Sequence, residues 1–171
     1  MANVLMVIAP ERFRDEELFV TADELRQAGH KILIASTKVG VCPGSRGGFA
    51  TSEVLIKDVE VCNFDALVVV GGGGSKLLFD NPELAAITAE MHAAGKVIAA
   101  ICLAPVVLAK AGVLKGKKAT VAGTEAAALV GAGADYTGPG VMVDGLIVTA
   151  NGPKASQVFG QKINALLAVQ S

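Results

Sequence analysis

Charge is scarce in this chain: 18% of its 171 residues are charged while 52% are hydrophobic, against a usual charged share of about a quarter. Much of the apolar content must therefore be buried in a core or against another copy. The formal net charge is −1 and no basic block is present, which argues against nucleic acid as a partner. No apolar run approaches the roughly 20 residues that span a bilayer, so no membrane association is expected. A signal-peptide pattern is also missing, because Met1-Ala2-Asn3 runs into a short strand and then the charged stretch 11–17. Cys42, Cys62 and Cys102 form no CxxC and no metal-ligand spacing, so neither a metal nor another cofactor is expected. An odd number of thiols fits a reducing cytoplasm. The two histidines, His30 and His92, do not follow strand ends. A Cys–His pair of the protease type is hard to build from them within one subunit.

What the chain does contain is an alternation of short β-rich runs with helical ones. Residues 4–9 read as a buried strand. Residues 15–28 read as a helix with Leu18, Ala22, Leu25 and Ala28 along one face, ended by Gly29. A strand over 31–36 follows, then a Gly-rich stretch over 39–50 leading into two short segments around 52–56, expected as a small hairpin or edge excursion. Residues 66–70 form the next core strand, followed by Gly71–Gly74 and a helix over 82–94. Residues 97–101 and the helix beyond Cys102 repeat that order. A strand over 118–122 and a short helix near 125–130 come next. Residues 141–143 and 146–150 read as a hairpin turned by Asp144-Gly145. A last helix covers 155–169. Continuous Val/Ile/Leu runs separated by helices predict a parallel sheet covered on both faces. The expected architecture is α/β: a flavodoxin-like three-layer sandwich with a mostly parallel sheet, forming a single domain over 1–171.

Cys102 is the leading candidate for chemistry. It stands where the strand Val97-Ile98-Ala99-Ala100-Ile101 gives way to a helix beginning near Pro105. A thiol on such a bend points out of the sheet, into the crevice where open α/β folds bind ligands. The small neighbours Ala100 and Ala104 give the bend room, as glycines do in a nucleophile elbow. Unpaired N–H groups at the helix start would favour the thiolate and bring the thiol below its free pKa of about 8.5. The other reading is a buried small apolar residue, which is what most free cysteines are.

The run Gly71-Gly72-Gly73-Gly74-Ser75-Lys76 follows a strand but matches neither the P-loop nor the dinucleotide pattern. It can turn backbone N–H groups towards Cys102 as half of an oxyanion hole, or serve only as a tight strand-to-helix turn. Asp15-Glu16-Glu17 complements the dipole of the first helix, which alone explains the run. Alternatively one carboxyl turns inwards and shares a proton with the thiol, which needs a pKa raised by a poorly polar crevice.

The segment Val97 to Pro105 closely resembles the cysteine elbow of the ThiJ/PfpI superfamily, and within it the Parkinsonism-associated deglycase branch. Arg26-Gln27-Ala28-Gly29 resembles the family's first helix end, and counting back from it places Glu17 on the carboxyl that bonds the reactive thiol. Gly71-Gly72-Gly73 matches the glycine turn. By this resemblance the Gly73 and Leu103 amides form the oxyanion hole and Gly72 lies on the substrate side. Ser45-Arg46-Gly47 resembles the segment that carries an arginine towards the partner subunit's site. Asp144 to Thr149, followed by Asn151-Gly152-Pro153, resembles the last strand and the loop beside the thiol.

The departures are specific. Leu103 stands where the peptidase-like branch carries His, and Ala122 where the deglycase branch often does. The chain also stops after its last predicted helix, without the extra helix of longer relatives. The resemblance implies a cytoplasmic homodimer using Cys102 as nucleophile and Glu17 as proton carrier. The substrates implied are small reactive carbonyls such as methylglyoxal, or early glycation adducts, handled without glutathione. The competing expectation is a redox-sensing stress protein with chaperone-like activity, in which Cys102 becomes a sulfinate. A cysteine peptidase ranks below both. A flavin module ranks last, because residues 10–14 lack a Ser/Thr-rich phosphate cradle.

Overall fold

Strand β1 (Asn3–Val7) is buried on both faces from Val4 onward, which places it inside a covered sheet. The structure is a computed structural model that describes residues 1–138 and 140–170. After β1 come α1 (Asp15–Gln27), β2 (Lys31–Ser36), β3 (Gly40–Pro43), β4 (Phe49–Ser52), β5 (Val54–Leu55) and β6 (Ala66–Val69). Then follow α2 (Pro82–Ala93), β7 (Val97–Ile101), α3 (Pro105–Lys110), β8 (Lys118–Ala119) and α4 (Ala126–Gly131). The last elements are β9 (Asp135–Tyr136), β10 (Val141–Asp144), β11 (Ile147–Ala150) and α5 (Ser156–Gln170). The main sheet has the order β10-β11-β7-β6-β1-β2-β5. Its pairings are parallel except β10 with β11, the hairpin turned at Asp144-Gly145.

Successive residues of each strand feed opposite layers. Leu5, Val7, Leu67, Val69, Ile98 and Ala100 pack under α2, α3 and α4, against Leu84, Met91, Leu108 and Leu129. Val4, Met6, Val68 and Ala99 face the other way, onto Leu18 and Leu25 of α1 and Phe159 and Ile163 of α5. Both faces being covered, the strands carry no polar alternation. This is the flavodoxin-like fold, shared with solved structures of the same architecture. Helices α1 and α5 meet at Gly160, where a Cβ would come within 2.8 Å of the Glu24 Cβ.

The order places a topological switch between β1 and β6: the chain leaves β1 towards β2 and β5, then returns to β6 on the other flank. Ligand crevices of open α/β sheets form at such a point, beyond the carboxyl ends of the strands. The loops after β1, β6 and β7 all emerge there.

The Gly-rich stretch over 39–50 is where the structure departs most from the sequence reading. The hairpin lies within it: β3 and β4 pair antiparallel from Gly40↔Ser52 to Pro43↔Phe49. The segment that follows, β5, is a parallel edge strand beside β2, the edge excursion of the two alternatives. The strand expected over 118–122 is only Lys118–Ala119 and pairs with β9 in a separate small sheet. Val121 is nevertheless buried, which is why apolar content alone extended the strand.

Candidate active site

Cys102 has φ 65, a left-handed backbone on a residue with a side chain. Only Arg12, at φ 55, shares this feature among the described non-glycine residues. Such a conformation costs roughly 1–2 kcal/mol and persists only where the surroundings impose it. Here they do. The Cys102 N–H donates to the Ala150 carbonyl at 2.8 Å, and its own carbonyl accepts from the Ala122 N–H at 2.8 Å. The elbow is thus fixed between β11 and the chain beyond β8. Cys102→Gly is accordingly expected to be more stable than Cys102→Ala by about 0.5–1 kcal/mol, the strain relieved minus the added freedom of the unfolded chain. Urea unfolding of the two variants reads the sign. A less stable glycine variant would mean that the elbow holds no strain.

Gly71 brings the second functional group to the sulfur. Its N–H donates to Glu17 Oε1 at 3.0 Å, and its carbonyl accepts from the Arg14 N–H at 3.0 Å. A Cβ at Gly71 would lie 2.6 Å from Glu17 Oε1 and 2.7 Å from the Cys102 Cβ. Only a glycine lets the carboxyl and the thiol meet across this backbone. Glu17 is fully buried, and its Oε2 has no hydrogen-bond partner among the described residues.

Burial pushes the Glu17 carboxyl up to about 7, against the stabilising contacts of the Cys102 thiol and the Gly71 N–H. Burial also pushes the Cys102 thiol up to about 11, and the negative charge of Glu17 adds to the rise. The Gly72 and Leu103 amides donate to the sulfur and oppose it. The expectation of a thiol below its free value is therefore overturned. Helix α3 has only six residues, and its N–H groups do not outweigh burial and an adjacent carboxylate. The two groups titrate as one unit, losing a first proton near 7 and a second near 11. Between those values the pair holds one proton. The two values assign that proton to the sulfur, and its passage to Glu17 gives a thiolate facing a carboxylic acid, the two partners that addition to a carbonyl requires.

The other expected residues occupy the same rim. Gly72 has φ 99, and a Cβ there would strike the backbone of Arg12, Phe13 and Arg14. Gly73 is exposed and half-buried Leu103 follows the cysteine. The 151–153 loop leaves β11 at Ala150, whose carbonyl holds the Cys102 N–H. Asn151 is exposed, and its N–H donates to Gly140 at 2.9 Å. Arg46 is exposed on the β3–β4 turn. His30, just before β2, and His92, in the last turn of α2 before β7, lie towards the amino ends of the strands, opposite the crevice, and His30 Nδ1 accepts the Ala2 N–H at 3.0 Å. Ala122 touches the Cys102 backbone but brings no imidazole. No group of three or more His, Cys, Asp or Glu among the described residues is arranged to hold a metal ion. Among the described residues no helix is long and apolar enough to cross a membrane.

Two features escaped the sequence reading. Buried Asp15 accepts from the Arg46 N–H at 2.9 Å and the Gly48 N–H at 2.7 Å, tying the Arg46 turn to the start of α1. Gly44 and Gly48 leave no room for a Cβ beside that carboxylate, so glycines spaced across the turn were its signal. The second feature is Arg12 and Arg14, which flank the Phe13 plug on the loop after β1. Arg14 binds Glu16 through Nε at 3.0 Å and Nη2 at 2.9 Å.

The chain is similar to several known proteins. An uncharacterized protein of Methanocaldococcus jannaschii is 47% identical over 165 residues, which cover 95% of this chain and 80% of that one. A deglycase of Thermococcus kodakarensis is 33% identical, with 87% of this chain and 90% of the relative covered. The crystal structure of a ThiJ/PfpI domain protein from Brachyspira murdochii superposes with a TM-score of 0.97 at 31% identity, covering 99% of this chain and 98% of that one. Residues 2–166 match the DJ-1/PfpI family, and the chain belongs to it.

Proposed function

We propose that this protein carries out cysteine-dependent, glutathione-independent carbonyl chemistry on small reactive aldehydes or early glycation adducts. The observation that carries the reading is the buried Glu17 carboxyl, with one oxygen unpartnered, held beside a thiol on a strained elbow. Relatives named deglycases, at 32% and 33% identity, support it. In the first step the Cys102 sulfur bonds to the aldehyde carbon, the C=O π pair moves to oxygen, and the Glu17 proton neutralises that oxygen. The Gly73 and Leu103 amides are suited to hold the developing charge. For methylglyoxal, Glu17 moves the proton of the former aldehyde carbon to the neighbouring carbonyl carbon while the hydroxyl proton passes to that carbonyl's oxygen, which gives the thioester of lactate. Addition of one water then releases lactate and the free thiol.

The same reading places the protein in the cytoplasm as a homodimer, with Gly72, Arg46 and the Asn151, Gly152 and Pro153 loop on the substrate side. Exposed Val41 and Phe49 on the Arg46 hairpin support contact with a second copy. Peptide hydrolysis is disfavoured because it needs a base that also protonates a leaving amine, and no imidazole faces Cys102. Methylglyoxal supplied without glutathione should be converted to lactate, with peptides left uncut. Cys102-dependent peptide cleavage with inert behaviour towards methylglyoxal would reverse the reading.

The unpartnered Glu17 Oε2 also favours a second role, as hydrogen-bond donor to an oxidised Cys102. Dilute peroxide should then oxidise Cys102 to a sulfinate ahead of buried Cys42 and exposed Cys62. Peptide mass spectrometry showing equal oxidation at all three would remove this role.

A further inference from the structure

The rim of the Cys102 crevice carries more positive charge than the addition step uses. Arg12 is exposed, with its backbone held at φ 55 by bonds from its N–H to the Pro43 carbonyl, 2.8 Å, and from the Gly74 N–H to its own carbonyl, 3.0 Å. Those bonds direct its side chain over the glycine turn, where Nη1 lies 3.9 Å from the place a Gly73 Cβ would occupy. It forms no salt bridge among the described residues. Arg14, two residues on, is tied by its N–H to Gly71, the residue that seats Glu17. Its guanidinium is close enough to Cys102 and Glu17 to interact electrostatically with both. Glu16 occupies Nε and Nη2 of Arg14 through a single oxygen, leaving the remaining N–H donors of a five-donor fork free. Arg46 also acts on Glu16 and draws part of its charge. Asp15 is fully engaged by the turn amides.

We infer that Arg12 and Arg14 form an anion-recognition rim, so that the preferred carbonyl ligands carry a carboxylate or phosphate, which in a substrate lies beyond the two adjacent carbonyls. Glyoxylate, which can add to the thiol but has no second carbonyl to isomerise, is the simplest binding probe for that rim. The inference rests on the proposed carbonyl reaction for its substrate, but the charge preference itself does not depend on turnover. A planar guanidinium matches a carboxylate or phosphate in two-point contact, and one on each side of the glycine turn would orient the carbonyl towards Cys102. Charge-lined clefts also raise the local concentration of oppositely charged ligands.

The test compares alkylation of Cys102 by anionic iodoacetate and neutral iodoacetamide, followed by peptide mass spectrometry, with Cys62 in the same molecule as reference. The iodoacetate-to-iodoacetamide rate ratio at Cys102, normalised to Cys62, should fall about tenfold in Arg12→Gln/Arg14→Gln. In the unaltered protein it should decline as salt is raised, a check that needs no variant. Competitive inhibition of methylglyoxal turnover by glyoxylate should weaken in the same variant. An alkylation ratio insensitive to both salt and substitution overturns the inference, whatever the turnover. A charge-dependent ratio with no turnover of methylglyoxal upholds the anion rim and defeats the carbonyl reading instead.

Discussion

Glu17→Gln should lower kcat/KM for methylglyoxal by about 10²–10⁴-fold, the range expected when a positioned proton carrier is removed. The same substitution should make the Cys102 thiol easier to ionise. Two of the influences that raise the thiol come from Glu17, its charge and its hydrogen bond, and both vanish in the glutamine variant. The thiol midpoint should therefore drop below about 11, titrated by thiolate absorbance in a Cys42→Ser/Cys62→Ser background. A better ionised but slower enzyme separates proton transfer from nucleophile activation. A glutamine variant with undiminished turnover would remove Glu17 from the reaction.

Stability should depend on pH through the same carboxyl. In the folded protein burial holds Glu17 near 7 rather than at the ordinary carboxyl value of 4.5, so between these values the folded state binds more protons than the unfolded one. Stability contributed by the protonated carboxyl is thus fully present below the unfolded value and is lost as pH rises through the folded one. The loss amounts to about 3 kcal/mol for a carboxyl this deeply buried. Urea midpoints of the wild type should fall from pH 4.5 to pH 8 relative to those of Glu17→Gln, which has no such proton to lose. Parallel pH profiles for the two proteins would show that Glu17 is not held protonated by the fold.

Much of the architecture was legible because its causes are local. Val4 to Val7, Ala66 to Val69 and Val97 to Ile101 announce buried parallel strands by unbroken apolar runs. Gly29 and Asp144-Gly145 mark a helix end and a tight turn through conformations available at little cost to glycine, with φ 90 at Gly29 and φ 60 at Gly145. The β3–β4 hairpin was not legible. Its glycines weaken strand propensity, and the turn is held by Asp15 from 31 and 33 residues away. At the site, Cys102 stood out through its place after β7, and Glu17 through resemblance. The direction of the thiol's pKa was misread because burial and the Glu17 charge arise only when β1, β6 and β7 come together. Arg12 and Arg14 carry no signal in the sequence, because their bearing on the site arises only where Gly72 and Gly73 pack against them.

The central claim is that the Cys102 sulfur forms the bond to the carbonyl carbon. Its most direct test is lactate formation from methylglyoxal, without glutathione, by the wild type and by Cys102→Ser with Cys42 and Cys62 left intact. The account requires turnover in the wild type, loss of it to background in the serine variant, and a substrate-derived adduct on the Cys102 peptide when wild-type turnover is quenched. Lactate formation by Cys102→Ser at the wild-type rate would contradict it.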